Sequence, residues 1–269
     1  MTDLLDYVRA LEGHASAQRG HLVRTFLQGS GIAYQLHQYA TGSNIIIPPQ
    51  QRPYVAVSAH FDVVPGSPGA NDNASAIAVI AGLLARFEAQ PTSHIGVGFF
   101  IFDEEETGLV GSQAYVDEVG TDQLLGLINL EMLGAGEHLA LWPLRPDERG
   151  RIWETTEASC ADLGVQAARF HRILNTADHE SFHTRGYQEA FTLTAISDGD
   201  LATAAHYYKA MEFDVDEETL MDIMYGAPLF RHYHRPSDRS EHLNEASLQR
   251  AVAVIEATIR RLDLEAVGR

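Results

Sequence analysis

The stretch Ile95-Gly-Val-Gly-Phe-Phe-Ile-Phe-Asp-Glu-Glu-Glu-Thr-Gly-Leu109 joins an apolar run of strand length to a block of carboxylates. An apolar run of seven residues, Ile95 to Ile101, reads as a strand buried on both faces, the kind found inside parallel sheets. An acidic block at the end of a buried strand is costly unless something positive compensates it. The chain has 19 Lys plus Arg against 37 Asp plus Glu, so a basic patch is a poor candidate and a metal ion a better one. Neighbouring residues of an extended strand point in opposite directions. A turn at the strand end lets both Glu105 and Glu106 reach one site in different roles.

The same pattern recurs on either side. Val55-Ala-Val-Ser-Ala59 is a short apolar strand that ends at His60, and Leu125-Gly-Leu-Ile-Asn-Leu130 is another that ends at Glu131. Ala190–Thr194 reads as a fourth strand. Helices are expected over residues 3–30 (one or two, before Gly31), after Asp72-Asn73, over 111–119, 147–163 and 245–262. Asp72-Asn73 stands where helix N-caps stand, and Ile77, Ile80, Ala81, Leu84 and Phe87 make an apolar stripe at helical spacing behind it. Strands alternating with helices predict an α/β fold, a three-layer α/β/α sandwich around a mixed, mostly parallel sheet. With no repeat, low-complexity segment or linker, residues 1–269 read as one domain. Residues 197–232 are a long helical connection within it, of the kind that forms lids.

Composition narrows the function. A formal net charge of -18 argues against nucleic acid and against an anionic membrane surface as partners. The single cysteine, Cys160, permits no intrachain disulfide and reads as a core residue of a helix. The N-terminal residues show no secretion signal, and no apolar stretch reaches the ~20 residues of a membrane helix. The expected setting is cytoplasmic.

In open α/β sheets ligands bind at the carboxyl ends of the strands. His60, Glu105, Glu106 and Glu131 all fall there, with Asp72 on the following segment and His234 in the polar loop His232-Tyr-His-Arg-Pro-Ser-Asp238. Two zinc ions about 3.5–4 Å apart need imidazole and carboxylate ligands, one of which can bridge. A free carboxylate beside them must carry the proton to the leaving group.

The segments His60-Phe-Asp62, Gly69-Ala-Asn-Asp-Asn-Ala-Ser75, Glu105-Glu-Thr-Gly-Leu-Val-Gly-Ser112, Asn129-Leu-Glu-Met132, Asp178-His-Glu-Ser-Phe182 and Tyr233-His-Arg-Pro-Ser-Asp238 together resemble the co-catalytic zinc aminopeptidases of peptidase clan MH, family 28. They occur in that family's order. The resemblance implies a di-zinc exopeptidase acting on the N-termini of short peptides. It makes His60 and Glu131 ligands of one zinc, Glu106 and His234 ligands of the other, and Asp72 the bridge. Glu105 becomes the general base and acid, Asp62 the residue that orients His60, and Tyr233 the donor to the developing oxyanion. A cis Asp72–Asn73 peptide is also implied. Two departures stand out. Glu131 replaces the Asp usual in the family, which moves the carboxylate by roughly an ångström or more, and a secretion signal is missing. Tyr207, Tyr208, Met211 and Tyr225 offer walls for an apolar side-chain pocket.

Three alternatives come with these readings. Glutaminyl cyclases share the fold, using one zinc held by Asp, Glu and His to make pyroglutamyl N-termini. A carboxypeptidase or amidohydrolase fits the same scaffold. His179-Glu-Ser-Phe-His183-Thr-Arg-Gly186 matches the zincin pattern His-Glu-x-x-His-x-x-Gly, although Gly186 would end its helix within a turn of His183. In the main reading His179 and His183 have supporting or structural roles.

Overall fold

The computed structural model of the chain describes residues 3–171, 176–213 and 215–266. Their strands are β1 Gln35–Gln38, β2 Ser43–Ile47, β3 Tyr54–His60, β4 Gly96–Phe102, β5 Leu124–Glu131, β6 His138–Trp142, β7 Ala167–Arg169 and β8 Ala190–Ile196. The α-helices are α1 Leu4–Leu11, α2 Ser16–Gly29, α3 Ser75–Ala89, α4 Val110–Glu118, α5 Arg151–Asp162, α6 His179–His183, α7 Asp198–Glu212, α8 Glu217–Tyr225 and α9 Glu245–Glu265. All eight strands form one sheet in the order β1-β2-β4-β3-β5-β8-β6-β7. The central four, β4, β3, β5 and β8, are mutually parallel, whereas β2 joins β4 and β6 joins β8 antiparallel.

Alternation along the strands builds the three layers. Val55, Val57 and Ala59 of β3 join Val97, Phe99 and Ile101 of β4 in a core that contains the apolar faces of α1, α2, α3, α5 and α9. Tyr54 and Ala56 face the other way, with Phe100 and Phe102, toward Tyr115 and Val116 of α4 and Phe182 of α6. Burial on both faces explains why the central strands read as unbroken apolar runs. Cys160 is buried in α5, and burial beside Glu157 pushes its thiol up to about 12. Among the described residues no helix is long and apolar enough to cross a membrane.

The strands expected around Val55, Ile95, Leu125 and Ala190 are present. The helix expected over 147–163 begins later, at Arg151 behind Gly150. The N-cap expectation for Asp72-Asn73 is corrected. Residues Ala70–Ala74 form a π-turn, α3 starts at Ser75 with Ala74 as its cap, and the Asp72 side chain is engaged elsewhere. The Asp72–Asn73 peptide is cis.

Helix α9 is tied to the entry of β4 by Asp263. Its carboxylate accepts the backbone N–H groups of Ser93 (2.9 Å), His94 (2.7 Å) and Ile95 (3.0 Å). Burial opposes its ionisation, but these three donors outweigh it and hold the carboxyl below its usual range. Its contribution is therefore full above the unfolded value near about 4 and is lost as pH falls through the lower folded value. Asp263→Ala should cost about 1–3 kcal/mol in urea unfolding at pH 7, and the deficit should shrink in acid.

Candidate metal centre and active site

Each strand end delivers one part of the site. His60 is the last residue of β3, Glu131 the last of β5, and the chain turns sharply after β4 at Glu104, where φ is 57°. Asp62 links two of these ends. Its carboxylate accepts the backbone N–H groups of Glu105 (3.1 Å) and Glu106 (3.1 Å) and faces His60 Nδ1 at 3.2 Å. That leaves His60 Nε2 pointing inward, 3.4 Å from Asp72 Oδ1, 3.4 Å from Glu131 Oε2 and 4.0 Å from Glu105 Oε2. At the mouth, His234 Nε2 stands 3.2 Å from Asp72 Oδ2 and 3.0 Å from Glu106 Oε2. The two Asp72 oxygens thus face different imidazoles. Tyr233 lines the same space, its ring stacked on that of His234 at 3.7 Å.

All eight residues singled out in the sequence come together here: Asp62, Glu105 and Tyr233, with His60, Asp72, Glu106, Glu131 and His234. The longer side chain of Glu131 stays in the cage because two amides hold it. Asn129 Nδ2 donates to Oε1 (3.2 Å) and Asn73 Nδ2 to Oε2 (2.8 Å). Asn129 is fixed in turn by Ser58 Oγ (2.7 Å) and by its own donation to Thr192 Oγ1 (3.1 Å).

Several contributors escaped the sequence reading. Asp238 accepts the backbone N–H groups of Asn71 (2.8 Å) and Asp72 (3.1 Å). Arg19 of α2, wholly buried, donates to the backbone carbonyls of Asp62 (3.3 Å) and Gly69 (2.6 Å). Together they clamp the loop that carries Asp72. The periodicity of α2 marks Arg19 as an ordinary helix residue, so no local signal could have found it. Asp178 lies inside a quoted motif but had no role assigned. Burial raises its carboxyl to about 7, against the pull of His60 and with help from Glu131 and Asp62.

Electrostatically the cage is short of positive charge. Burial opposes protonation of His60, yet the charges of Glu131 and Glu105 hold its pKa well above the usual imidazole value. His234 is raised to about 9, since hydrogen bonds with Asp72 and Glu106 outweigh burial. Burial, with Glu131, Asp178 and Glu106 nearby, pushes Glu105 well above the usual carboxylate range despite His60. Glu106 Oε1 is buried with no protein hydrogen-bond partner among the described residues. An imidazole and carboxylate donor set with an orphaned oxygen fits divalent cations with mixed N and O ligands.

The zincin pattern brings His179, Glu180 and His183 within ligand reach of one another, but its histidines are engaged elsewhere. Its helix, α6, has only five residues. His183 Nε2 is 2.8 Å from the Ala190 carbonyl, and His179 Nδ1 is 2.6 Å from Thr192 Oγ1. His179 supports the cage through Thr192 and Asn129, and its ring meets Trp142 edge-on at 5.2 Å.

A model of the family described as Peptidase family M28 matches residues 44–259. The probable lipoprotein aminopeptidase LpqL of Mycobacterium tuberculosis is 29% identical over 72% of this chain and 39% of its own length. Aminopeptidase YwaD of Bacillus subtilis is 26% identical over 76% of this chain and 40% of its own. Among solved structures, BSAP, a zinc aminopeptidase from Bacillus subtilis, has a TM-score of 0.63 at 25% identity, covering 82% of this chain and 50% of that one. A glutaminyl cyclase from Bacteroides thetaiotaomicron shares the fold, with a TM-score of 0.68 at 16% identity over 96% of both chains. The chain spans about two-fifths of the length of the two curated relatives.

Burial lowers the pKa of His179 to about 3, with His183 adding to it. The folded state therefore keeps this ring neutral while the unfolded chain takes up a proton below about pH 6.5. Stability from His179 is full above that pH and falls as pH drops toward 3, by about 1.4 kcal/mol per unit. In chelator-containing buffer, wild type should lose about 1.4 kcal/mol more than His179→Gln between pH 7.5 and 5.5, measured by urea unfolding.

Proposed function

The chain belongs to peptidase family M28, and on that premise we propose that it is a zinc-dependent aminopeptidase that releases N-terminal residues from short peptides. The observation that carries this reading is the Asp72 carboxylate shared between His60 and His234, each backed by a further carboxylate. Two zinc ions would be held by His60 and Glu131 on one side and by Glu106 and His234 on the other, with Asp72 common to both. When bound, they supply Lewis-acid polarisation of the scissile carbonyl and acidify a water toward neutral pH. The names of LpqL, YwaD and BSAP, all aminopeptidases, support the same activity.

The chain's own groups do the rest. Glu105 Oε2 lies 4.0 Å from His60 Nε2, and burial keeps this carboxylate able to take a proton. It accepts the proton of the attacking water and delivers it to the leaving amine nitrogen. Tyr233 donates its phenolic hydrogen toward the oxyanion. Asp62 holds His60 Nδ1 and, through two backbone N–H groups, keeps Glu105 and Glu106 in register with it. Asp72, Glu105, Glu106 and Glu131 carry four negative charges against four positive ones from two zinc ions. The surrounding chain is acidic, which favours a substrate bearing a free α-ammonium over one presenting a carboxylate. A one-zinc cyclase leaves one of the two imidazole positions without a task.

The test is a matched peptide pair with a free and an acetylated N-terminus. Cleavage of the free form alone, abolished by chelation and restored by zinc, is expected. Equal cleavage of both rejects the aminopeptidase reading. Release from the C-terminus points to a carboxypeptidase, and pyroglutamyl formation from an N-terminal Gln to a cyclase. Glu105→Gln should retain zinc, measured by elemental analysis, and lose about 10²–10⁴-fold in kcat. Near-normal turnover would remove Glu105 from the proton-transfer role.

A further inference from the structure

The turn that carries Glu105 and Glu106 is held by more than Asp62. Its four successive N–H groups, those of residues 103–106, each meet a side-chain acceptor. Asp62 takes Glu105 and Glu106, the Asp103 carboxylate takes Glu104 (3.0 Å), and Asn44 Oδ1 takes Asp103 (3.0 Å). Asn44 lies outside the cage, on β2. The β2–β4 ladder ends at Ile45 and Ile101, and the wholly buried side chain of Asn44 adds the next rung.

The same amide reaches the far end of the segment. Asn44 Nδ2 donates to the Gly111 carbonyl (2.8 Å) in the first turn of α4. One side chain thus closes both ends of the segment 103–111, beside the backbone bond from the Gly111 N–H to the Asp103 carbonyl (3.2 Å). The closure is tight, because a methyl group at Gly111 would collide with the Asp103 carbonyl oxygen and with Asn44 Oδ1. The amide's orientation is fixed. Its oxygen faces an N–H and its nitrogen a carbonyl, so a flip would set like against like at both ends. Its second N–H points to His37 Nδ1 (3.1 Å), which makes that nitrogen the acceptor and leaves Nε2 to donate to Glu118 (2.9 Å).

We propose that Asn44 is a positioning residue for Glu105, a strap that acts through the backbone to hold the proton carrier against the cage. This rests on the aminopeptidase reading, in which Glu105 carries the proton. Glu104 sits between the strap and Glu105 with a φ of 57°, unfavourable backbone that persists only where its surroundings enforce it. Asp62 holds the middle of the segment and Asn44 its ends. A carboxylate that must meet both a water and a leaving nitrogen at hydrogen-bond range needs both, and a displacement of about 1 Å can cost about 100-fold in rate.

The experiment is a double-mutant cycle on the zinc-saturated protein, with a tripeptide bearing a free N-terminus. Asn44→Ala should lower kcat by about 10- to 100-fold, with KM within about threefold of wild type. On Glu105→Gln, where the proton carrier is already gone, the same substitution should change kcat by less than about threefold. An equal loss in both backgrounds would put the effect on Glu106, the metal or the fold at large, and near-normal kcat in Asn44→Ala would show the strap to be idle; either overturns the proposal. Asn44→Asp keeps the size and the acceptor but loses both donors. It replaces the alanine variant if that fails to fold and should give the same cycle. A second arm needs no activity: in either Asn44 variant, hydrogen–deuterium exchange over residues 103–111 should be about tenfold or more faster, with β5 and β8 unchanged. If wild type cleaves no peptide, the aminopeptidase reading fails and this arm decides the strap alone. Unchanged exchange over 103–111, or equal acceleration across the sheet, overturns it.

Discussion

Six carboxylates, those of Asp62, Asp72, Glu105, Glu106, Glu131 and Asp178, gather around two imidazoles, and most of the surrounding structure makes that concentration of charge tolerable. At an effective dielectric of about 20, two like unit charges 4 Å apart repel by about 4 kcal/mol. A domain of this kind has roughly 5–15 kcal/mol of stability in all, so a few uncompensated pairs would unfold it. The structure answers first with oriented backbone donors, two to Asp62 and two to Asp238. It answers next with the buried guanidinium of Arg19 behind the Asp72 loop. What remains is met by protons, held on His60 and His234 well above the usual imidazole value, or by cations. A divalent ion bound there would do the same with twice the charge. The site is therefore built to be completed by positive charge, and zinc is the ion its donor set suits.

Holding these groups at close range has a conformational cost. Glu104, Met132 and His234 are not glycines, yet their φ values are 57°, 50° and 56°. Left-handed backbone at such residues costs on the order of 1–3 kcal/mol each. Each is a proposed ligand or is adjacent to a proposed ligand or proton carrier, so three of the five such residues among those described, Leu109 and Gln123 being the others, stand at the rim of the cage. The rigid part of the molecule supplies the compensation. Strands β3, β4, β5 and β8 are buried on both faces, and they end in register at the site because parallel strands share one carboxyl edge.

The central strands were legible in the sequence for the same reason that they are rigid: two-sided burial writes them as continuous apolar runs. The outer strands were not. Strand β1 is four mostly exposed residues, Gln35–Gln38, and β7 is only Ala167–Arg169, too short and too polar to stand out. Strand β2 has a clear Ile45-Ile46-Ile47 run, but two prolines follow it at once. The antiparallel additions at both ends of the parallel core therefore came only with the structure. Of the site, everything set by covalent order could be read, because strand ends deliver His60, Glu105, Glu106 and Glu131 to one edge. The misplaced N-cap at Asp72 shows where local rules lose: a capping carboxylate is worth about 1 kcal/mol, less than hydrogen bonds with two charged imidazoles. Arg19 was hidden because its partners lie 43 and 50 residues away and nothing in its own neighbourhood marks it, whereas Asn73 and Asn129 stood inside the quoted motifs without a role, since the bonds that give them one reach 58 and 63 residues along the chain.

The cage and the chamber of apolar and aromatic side chains beside it are built on different principles. The cage hangs from strand ends whose positions the whole core determines, so its geometry changes only if the sheet changes. The chamber borrows Trp142 and Met132 from that frame but takes its roof from α7 and α8, which form a small apolar cluster of their own. Substitutions there disturb a few kilocalories of local packing instead of the main core. The sheet thus fixes the cage, while a helical pair placed in the connection between β8 and α9 roofs the apolar space beside it. The two are joined on both sides: α7 follows β8 directly, and the turn Pro228–Arg231 leads from α8 to the loop that carries Tyr233 and His234, where Tyr233 stacks on Tyr225 of α8. Asp238, which accepts the Asn71 and Asp72 amides, ties that loop to the segment that carries Asp72.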